Sequence, residues 1–360
     1  MRLKSLELAW RRLWIRVLVQ LMRRPNGARP DWGARPQRVL FLRHDRAGDM
    51  ILSTGLMRAV ARSYPTITLD VLASPANAAI LDAADYVGEV VVFDKKRLGS
   101  YLPTALRLRR ARYDAVIDCM VTAPSVTTLL LVAASGARQR VGIAGRGNDA
   151  AFTVTVPAET RADAHMVDLL GALAAAFDVA PAPSDKQPSI ALTDAEREWA
   201  ESIWGPRGRR RVLVNVSAGT SARLWANEKY VSVMRHIHEL DDAAVLRVIG
   251  APSESERAEA IAEQGDGEFV RTPSIRHAFA LVAAADFVFT PDTSIAHAAS
   301  AFGIPTVAMY LRGTSTRWGL YGIVGENLEH PAANLDTLSV DRVIAAIDSI
   351  WPRVSLTRPD

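Results

Sequence analysis

The stretch FLRHDRAGDMILSTGLMRAV, residues 41–60, joins an apolar run to a helical pattern through a short charged loop. The apolar run RVLFLR (38–43) predicts a buried strand, and the apolar spacing after the loop predicts a helix over 50–63. A strand-to-helix turn presents backbone N–H groups and the positive end of a helix, which attract anions. Asp49 follows Gly48 in this turn, so a carboxylate occupies a place that favours anion binding.

Short apolar runs continue to alternate with helical patterns along the chain, which predicts βαβ units and an α/β fold with parallel, doubly wound sheets. In the first half, strands are predicted over 38–43, 67–72, 89–93, 114–119 and 140–143, and helices over 50–63, 97–111 and 124–135. In the second half, strands are predicted over 211–216, 244–249, 287–290 and 305–310, and helices over 226–239, 253–264, 275–285 and 294–302.

Segments rich in proline, residues 24–37 and 178–188, predict linkers between domains, and the length of 360 residues also favours two domains. Two α/β domains predict a cleft between them, with ligands at the carboxyl ends of the strands. The predicted boundaries are a basic amphipathic helix and linker over 1–36, a first Rossmann-like domain over 37–182, a second over 188–345 and a tail over 346–360.

The charge of the chain is concentrated at its N-terminus. Residues 1–24 hold seven Arg and Lys and one Glu, a net +6, which leaves −2 for the rest because the whole chain is +4. The basic character therefore belongs to this segment, and no nucleic-acid-binding face is expected on the body of the protein. The single cysteine, Cys119, excludes an intramolecular disulfide and a multi-cysteine metal site, and its apolar surroundings predict a core residue.

The basic N-terminal segment has helical amphipathicity, but its longest run without charge covers only residues 17–22. A spanning helix needs about 20 apolar residues, so this segment is not expected to span a membrane, and it lacks the pattern of a signal peptide. One interpretation is a helix lying on an anionic membrane surface. The alternative is a helix packed on this protein or a partner. Its apolar face comprises Leu3, Leu6, Trp10, Leu13, Val17 and Leu21.

Polar residues follow several predicted strands. Gly219 and Thr220 could present backbone and hydroxyl donors, and Arg223 could bind a phosphate with two hydrogen bonds, the alternative being an ordinary loop with a solvated arginine. Glu254 could accept bonds from a ribose, or could be an acid favoured in the first turn of a helix. In the opening stretch, Asp49 could act chemically or serve as a helix N-cap.

The stretch FVFTPDTSIAHAASAFGIPTVAMY, 287–310, carries the most polar of these strand ends. Asp292, Thr293 and Ser294 lie between a strand and a helix and could bind an anion or a sugar, with His297 one turn later. The alternative is an N-cap at Asp292 or Thr293 and a histidine that serves the core. No GxGxxG, P-loop or GxSxG pattern and no metal-ligand spacing of histidines occurs, so these chemistries are not supported.

Several motifs in order resemble glycosyltransferase family 9, the ADP-heptose:lipopolysaccharide heptosyltransferases, over about residues 38–325. The segments that carry the resemblance are AGDMILSTGLMRAVARSYPTITLDVL, VVFDK, NVSAGTSARLWANEKY, TPDTSIAHAASAFGIPTVAMY and RWGLYG. Arg223 stands where the family has Lys, and Ser294 where it has Gly.

The resemblance implies a GT-B fold, in which two Rossmann-like domains face a cleft, and an inverting reaction without a metal or other cofactor. It assigns acceptor binding to 37–182 and nucleotide-sugar binding to 188–345, with Asp49 as the general base. The implied residues are Gly219, Thr220, Arg223, Asp292, Thr293, Ser294 and His297 for the donor diphosphate and sugar, Glu254, Pro273, Ser274 and Ile275 for the nucleoside, and Gly48, Arg43 and Arg46 for the acceptor.

The implied donor is a nucleoside-diphosphate sugar, ADP-heptose, and the implied acceptor is a lipopolysaccharide core or another lipid-linked envelope glycan. Such an enzyme is expected in the cytoplasm, peripheral to the inner face of the cytoplasmic membrane, with residues 1–24 on the anionic surface. Two alternatives remain open at this point. One is another GT-B enzyme, such as a sugar-nucleotide epimerase, and the other is a non-catalytic relative that binds nucleotides.

Overall fold

The computed structural model describes residues 2–24, 30–35, 37–157, 164–180, 182–330 and 334–354, with only the backbone described for residues 2–9 and for Pro183. The chain divides into two compact units, Met1–Gln187 and Pro188–Asp360, and each is described by itself.

The first unit is built on a six-stranded sheet in the order β3-β2-β1-β4-β5-β6, in which every neighbouring pair is parallel. Its strands are β1 (Gln37–Arg43), β2 (Ile67–Ala73), β3 (Val90–Val92), β4 (Ala115–Asp118), β5 (Gln139–Ile143) and β6 (Val154–Val156). Its helices are α1 (Arg2–Met22), α2 (Ala47–Ser63), α3 (Tyr101–Ala111), α4 (Val126–Ser135), α5 (Met166–Gly171) and α6 (Pro183–Lys186).

The second unit repeats this plan in the order β12-β11-β10-β7-β8-β9, again with parallel neighbours throughout. Its strands are β7 (Arg211–Asn215), β8 (Val245–Ile249), β9 (Glu268–Phe269), β10 (Phe287–Pro291), β11 (Thr306–Leu311) and β12 (Gly325–His330). Its helices are α7 (Asp194–Trp204), α8 (Asn227–Leu240), α9 (Ser255–Gln264), α10 (Ile275–Ala283), α11 (Ser294–Phe302), α12 (Ser315–Trp318) and α13 (Val340–Ile350).

Both sheets have the strand order of the doubly wound Rossmann fold, so the predicted α/β architecture is confirmed. In each sheet the winding reverses between the first and fourth strands, which are β1 and β4 in the first unit and β7 and β10 in the second. Loops that leave two such neighbouring strands in opposite directions open a crevice at the carboxyl ends. We call these two places the first and second switch points.

The structure adds elements that the sequence pattern did not predict. The strands β6, β9 and β12 extend the sheets at their edges, and the polar sequence of β12, GENLEH, gave no strand signal. The last helix, α13, continues to Ile350, so residues 346–350 are helical where the sequence predicted the start of a tail. The parts of the predicted linkers and tail at 25–29, 36, 181 and 355–360 lie outside the described residues.

Helix α1 packs against the first unit through one face. Val19 and Met22 are buried in the core of this unit, and α1 lies against α4. The opposite face leaves Trp10 62% and Leu21 79% exposed, so only part of the apolar surface of α1 is covered. Packing on the protein, one of the two interpretations of this segment, is therefore correct for one face of α1. No helix in the described part of the chain is long and apolar enough to cross a membrane.

Helix α2 is held closely against α6. At Gly55, a side-chain Cβ would overlap the backbone carbonyl of Lys186, so the two helices approach through the bare glycine backbone. Arg58 reinforces this contact, because its Nη2 donates to the carbonyl oxygen of Gln187 at 3.0 Å. Helix α2, which bears Asp49 in its first turn, is therefore held against α6 at Gly55 and Arg58.

Candidate active site

Asp49 lies at the first switch point, in the first turn of α2. The N-cap of this helix is Arg46, so the alternative interpretation of Asp49 as the cap is wrong. The carboxylate is 18% exposed and is placed where the positive end of a helix favours a negative charge. Gly48, which precedes it, is buried in the same turn, and Arg46 is exposed.

Arg43, the last residue of β1, holds Asp49 in place. Its Nη2 lies 3.2 Å from Oδ1 of Asp49, and its Nε donates to the backbone carbonyl of Asp49 at 3.0 Å. Nη1 donates to the carbonyl of Cys119 at 2.5 Å, and the side chain is only 3% exposed. The resemblance assigned Arg43 to the acceptor, but this geometry supports a role in orienting the carboxylate instead.

Two further carboxylates surround Arg43, and the sequence analysis did not select either of them. Asp45 Oδ1 lies 3.4 Å from Nε of Arg43, and Asp118 accepts a bond from the backbone N–H of Met120 at 2.9 Å. Burial raises the pKa of Asp45 to about 6, against the pull of Arg43 and with help from Asp49. Burial likewise raises the pKa of Asp118 to about 6.

His44 is buried beside this cluster. Its Nε2 is 3.2 Å from Oγ1 of Thr128, on α4. Burial, with smaller effects from Lys95 and Arg43, lowers the pKa of His44 to about 4, so the ring is neutral near neutral pH. The first switch point thus combines a fixed carboxylate, a buried arginine and a neutral imidazole.

Asn215 organises the second switch point. Its Nδ2 donates to Oγ1 of Thr290 at 2.9 Å and to Oγ1 of Thr293 at 3.0 Å, and its Oδ1 accepts from the backbone N–H and the hydroxyl of Ser217. One amide therefore ties the loop after β7 to the loop after β10. Asn215 was not among the predicted site residues, although its polar side chain at the end of an apolar strand was a signal.

Arg223 and Asp292 form an ion pair at the second switch point. Nη2 of Arg223 lies 2.6 Å from Oδ2 of Asp292, and the side chains are 22% and 8% exposed. The alternative of a solvated Arg223 is therefore wrong. Gly219, with φ of +68°, turns the loop that precedes Thr220 and carries Arg223. Burial raises the pKa of the nearby Tyr310 hydroxyl far above its usual range, and the negative charge of Asp292 raises it further.

The start of α11 lies in the same region as this ion pair. Thr293 is the N-cap and accepts from the backbone N–H of Ile295 at 3.3 Å, as one alternative for this stretch predicted. Ser294 is the first residue of the helix, and His297 is buried one turn later. The positive end of a nine-residue helix is therefore directed toward the place where the ion pair lies.

Glu254 and the segment 273–275 lie beside the loop after β7. Both carboxylate oxygens of Glu254 face the backbone N–H of Ala218, at 3.3 and 3.4 Å. A cavity of about 410 Å³ is lined by Pro252, Phe269, Arg271 and Pro273, while Ser274 caps α10 and Ile275 begins it. The sequence analysis did not select Phe269 or Arg271, since Phe269 belongs to a strand of two residues that it missed.

A protein metal site needs several ligating side chains close together. In the described ranges, no three or more His, Cys, Asp or Glu side chains are grouped to hold a metal ion. Metal independence stays a prediction, because the absence of such a group does not identify the chemistry of the reaction.

Two Rossmann-like units, each with polar side chains at its switch point, define the architecture of the GT-B glycosyltransferases. The family model of glycosyltransferase family 9 (heptosyltransferase) matches residues 104–336, which is more than half of the chain. The chain therefore belongs to glycosyltransferase family 9 and is a glycosyltransferase.

Solved structures show the same fold. A family 9 glycosyltransferase from Veillonella parvula is 16% identical with a TM-score of 0.77, covering 90% of this chain and 99% of its own. The Escherichia coli ADP-heptose lps heptosyltransferase II is 19% identical, with a TM-score of 0.71 and coverage of 88% and 99%. The E. coli heptosyltransferase WaaC with ADP-2-deoxy-2-fluoro heptose is 17% identical, with a TM-score of 0.69 and coverage of 87% and 99%. No curated protein matched the sequence.

Proposed function

We propose that this glycosyltransferase is inverting and metal-independent, and that it transfers a heptose or a closely related sugar from ADP-heptose to a lipopolysaccharide core or another lipid-linked envelope glycan. The observation that carries the proposal is the carboxylate of Asp49, which a buried Arg43 fixes at the first switch point.

Asp49 acts as the general base in this proposal. A sugar hydroxyl is a poor nucleophile, and a carboxylate within about 3 Å can remove its proton as the new bond forms. Arg43 contacts Oδ1 and the backbone carbonyl of Asp49, which restricts the carboxylate to one orientation. Because the side chain remains 18% exposed, an acceptor hydroxyl can reach it.

The second switch point stabilises the departing diphosphate in this proposal. Arg223 exchanges Asp292 for a phosphate, to which a guanidinium can donate two parallel hydrogen bonds. The loop at Gly219 and Thr220 and the start of α11 at Thr293 and Ser294 add donors and the positive helix end. Fixed donors of this kind replace the charge that a metal ion would supply, and His297 completes the sugar side of the site.

The family and its solved members support the donor. The WaaC structure contains ADP-2-deoxy-2-fluoro heptose, and its fold covers most of this chain. Here Glu254 lies against the loop after β7, where it can accept bonds from ribose hydroxyls. The cavity that Pro273 lines, with Ser274 and Ile275 at its edge, has the volume for an adenine base.

We propose further that α1 holds the enzyme on the anionic inner face of the cytoplasmic membrane. Trp10 and Trp14 form an exposed edge-to-face pair with ring centres 5.9 Å apart, and basic residues surround them on the helix. Tryptophan rings and cations favour the interface of an anionic bilayer. Helix α3, which also packs on α4, exposes Leu102 and Leu106.

A vesicle sedimentation assay tests the membrane proposal. We expect the full chain to bind phosphatidylglycerol vesicles at low salt, to bind phosphatidylcholine vesicles less, and to be released as salt screens the charges. Replacing the exposed Trp10 and Trp14 by alanine should reduce binding. The exposed Leu240 in the second unit provides the matched control. Equal binding of all variants would contradict the proposal.

Turnover with a panel of donors tests the catalytic proposal. ADP-heptose, UDP-sugars and GDP-sugars are each incubated with deep-rough lipopolysaccharide, and nucleotide release is measured with and without this acceptor. We expect release from ADP-heptose that requires the acceptor and a product of inverted anomeric configuration by NMR. Conversion of the donor sugar without an acceptor would instead indicate an epimerase, and ADP binding without turnover of any donor would indicate a non-catalytic protein.

A further inference from the structure

Arg257 is a largely buried arginine of the second unit, next to the loop that follows β7. It lies in the first turn of α9, and its side chain is 19% exposed. The positive end of a helix disfavours a cation in its first turn, so this placement costs free energy that other contacts must offset. The contacts of the guanidinium show what offsets the cost.

The guanidinium of Arg257 binds both ends of the loop 216–226, which joins β7 to α8. Nη1 donates to the backbone carbonyl of Val216, directly after the strand, at 2.8 Å. Nη2 donates to the backbone carbonyl of Trp225, close to the start of the helix, at 2.5 Å. Between these two points the loop carries Gly219, Thr220 and Arg223. One planar group therefore closes the base of the loop.

Two further contacts occupy the same guanidinium. Nε donates to Oδ1 of Asn227, the first residue of α8, at 2.8 Å. The guanidinium also lies over the ring of Tyr230 in the same helix, 5.5 Å from the ring centre, where a cation is attracted to the aromatic face. Each of the three nitrogens of Arg257 thus already donates to this protein. The side chain is engaged in holding the loop, which makes it a poor candidate for a ligand-binding group.

Arg257 also lies beside Glu254, which contacts the same loop from within. Nη1 of Arg257 is 4.0 Å from Oε1 of Glu254. Both oxygens of this carboxylate face the backbone N–H of Ala218, at 3.3 and 3.4 Å. The position of Glu254 and the closure of the loop therefore depend on one arginine.

The hold that Arg257 provides differs from that of Asn215. The amide of Asn215 ties the start of the loop to Thr290 and Thr293, after β10. Arg257 instead joins the start of the loop to its end. A loop that is fixed before its ligand arrives loses less conformational entropy on binding, so this closure should increase the affinity for whatever the loop binds.

We infer that Arg257 is a positioning residue for the donor, which holds the loop 216–226 and Glu254 in the arrangement that receives a nucleoside diphosphate, without touching this ligand. The inference rests on the proposed function, because that proposal assigns the diphosphate to Arg223 and the ribose to Glu254. It adds a residue of α9 whose effect on the donor passes through the loop.

Limited proteolysis of the full chain, without any ligand, tests the hold on the loop. Trypsin cleaves after arginine, so the rate of cleavage after Arg223, followed by mass spectrometry, reports how often the loop opens. We expect this bond to be cut about 10-fold faster in Arg257→Ala, because the hydrogen bonds that close the loop are lost. An unchanged rate would overturn the inference.

Arg210→Ala is the matched control. The Arg210 side chain is 18% exposed and pairs with Asp241 at 2.6 Å. It also donates to the carbonyl of Val354 and lies over the ring of Trp351. Arg210 thus resembles Arg257 in burial and contacts, but it precedes β7 at the other end of the strand. Cleavage after Arg223 should be unchanged in Arg210→Ala, and an equal acceleration in both variants would contradict a specific role of Arg257.

Calorimetric titration with ADP tests the consequence for the donor. We expect Arg257→Ala to weaken ADP binding about 10-fold. Arg257→Lys, which also serves if the alanine variant does not fold, should be cut faster after Arg223 and bind ADP more weakly. Lysine keeps the charge but has a single nitrogen and cannot join both ends of the loop. Full ADP affinity in Arg257→Lys would overturn the inference, since charge alone would then suffice.

The two measurements together separate this inference from the proposed function. Faster cleavage in Arg257→Ala with unchanged ADP affinity would refute the proposed diphosphate site on this loop, and the inference with it. Weaker ADP binding without faster cleavage would overturn the inference alone, because Arg257 would then affect the ligand without positioning the loop.

Discussion

The two switch points share one strand order but use arginine differently. In the first unit, Arg43 is 3% exposed, and backbone carbonyls and carboxylates surround its guanidinium. In the second unit, Arg223 is 22% exposed, lies on a loop and pairs with Asp292. The first arginine is part of the framework that orients Asp49, and the second is placed to exchange its partner for a ligand. The same fold thus offers a buried cation that is fixed beside a carboxylate and a more accessible cation on a loop, which are the two roles that the proposed function requires.

The largest effect is expected from a substitution at the first switch point that should lower the rate of the reaction but leave nucleotide binding at the second switch point unchanged. Asp49→Asn removes the proposed general base and should lower kcat between about 100- and 10,000-fold, the usual range for losing such a group. The dissociation constant for ADP, measured by calorimetry, should stay the same because Asp49 belongs to the other unit. An unchanged kcat would show that Asp49 is not the base.

The next effect compares the two arginines by stability. Arg43→Ala removes the cation that lies beside the buried carboxylates of Asp45 and Asp118. This variant should lower the free energy of unfolding by about 3 to 5 kcal/mol. Arg223→Ala removes a more exposed cation but leaves Asp292 buried, and we expect a smaller loss of about 1 to 3 kcal/mol. Urea unfolding of both variants measures the difference. Equal losses would mean that the two arginines are equally structural.

A smaller effect concerns the pH dependence of the first switch point. The pKa of Asp118 rises from 3.8 to about 6 on folding, so the folded state binds this proton more tightly than the unfolded chain. The stability from this group is present below about pH 4 and is lost as the pH rises toward 6. Asp118→Asn keeps an acceptor for Met120 without the charge. The free energy of unfolding of Asp118→Asn, relative to that of the wild type, should therefore increase by about 2 to 3 kcal/mol between pH 4 and pH 7.

The wild type and Asp118→Asn must be compared at each pH because His44 titrates in the same range. Its pKa falls from 6.5 to about 4 on folding, so its contribution to stability is lost as the pH drops through the same range. The slope from His44 opposes that from Asp118, and Asp45, whose pKa is also raised to about 6, adds a slope of the same sign as Asp118. Only the difference between wild type and Asp118→Asn therefore isolates the Asp118 carboxylate. Parallel stability curves for the two proteins would rule out a raised pKa for Asp118.

The smallest effect tests whether Arg223 binds the donor. Arg223→Ala should weaken ADP binding about 10-fold, as expected for the loss of a charge-assisted contact to a phosphate. Arg207→Ala is the control, because this arginine pairs with Glu201 on the surface of the same unit. Calorimetric titration with ADP gives both constants. If the two variants bind ADP alike, Arg223 does not contact the diphosphate.

Much of the fold was predictable because the buried central strands have strong signals. The runs RVLFLR and RVLVNV have consecutive apolar residues at their centres, as is typical of strands covered on both faces, and they form most of β1 and β7. The edges were not predictable, because β9 has two residues and β12 is mostly polar. Edge strands have partners on one side only, so their position depends on the neighbouring strand more than on their own composition.

The site was predictable where a residue type and a strand end coincide. Asp49, Arg223 and Asp292 were selected on this basis, and the structure brings the last two together. Arg43 and Asn215 also have partners 75 or more residues away in the chain, which are Cys119 for Arg43 and Thr290 for Asn215. Local patterns carry no information on such partners, so the inward orientation of these side chains emerged only from the folded unit.

The bare backbone at Gly55 has a consequence for how this chain tolerates change. Any side chain there would push α6 away from α2, and α6 ends two residues before the second unit begins. The absence of a side chain at Gly55 therefore holds the helix that bears Asp49 close to the point where the chain leaves the first unit. Substitutions at Gly55 are therefore expected to be selected against, and in a library of variants this position should tolerate change as poorly as an active-site residue.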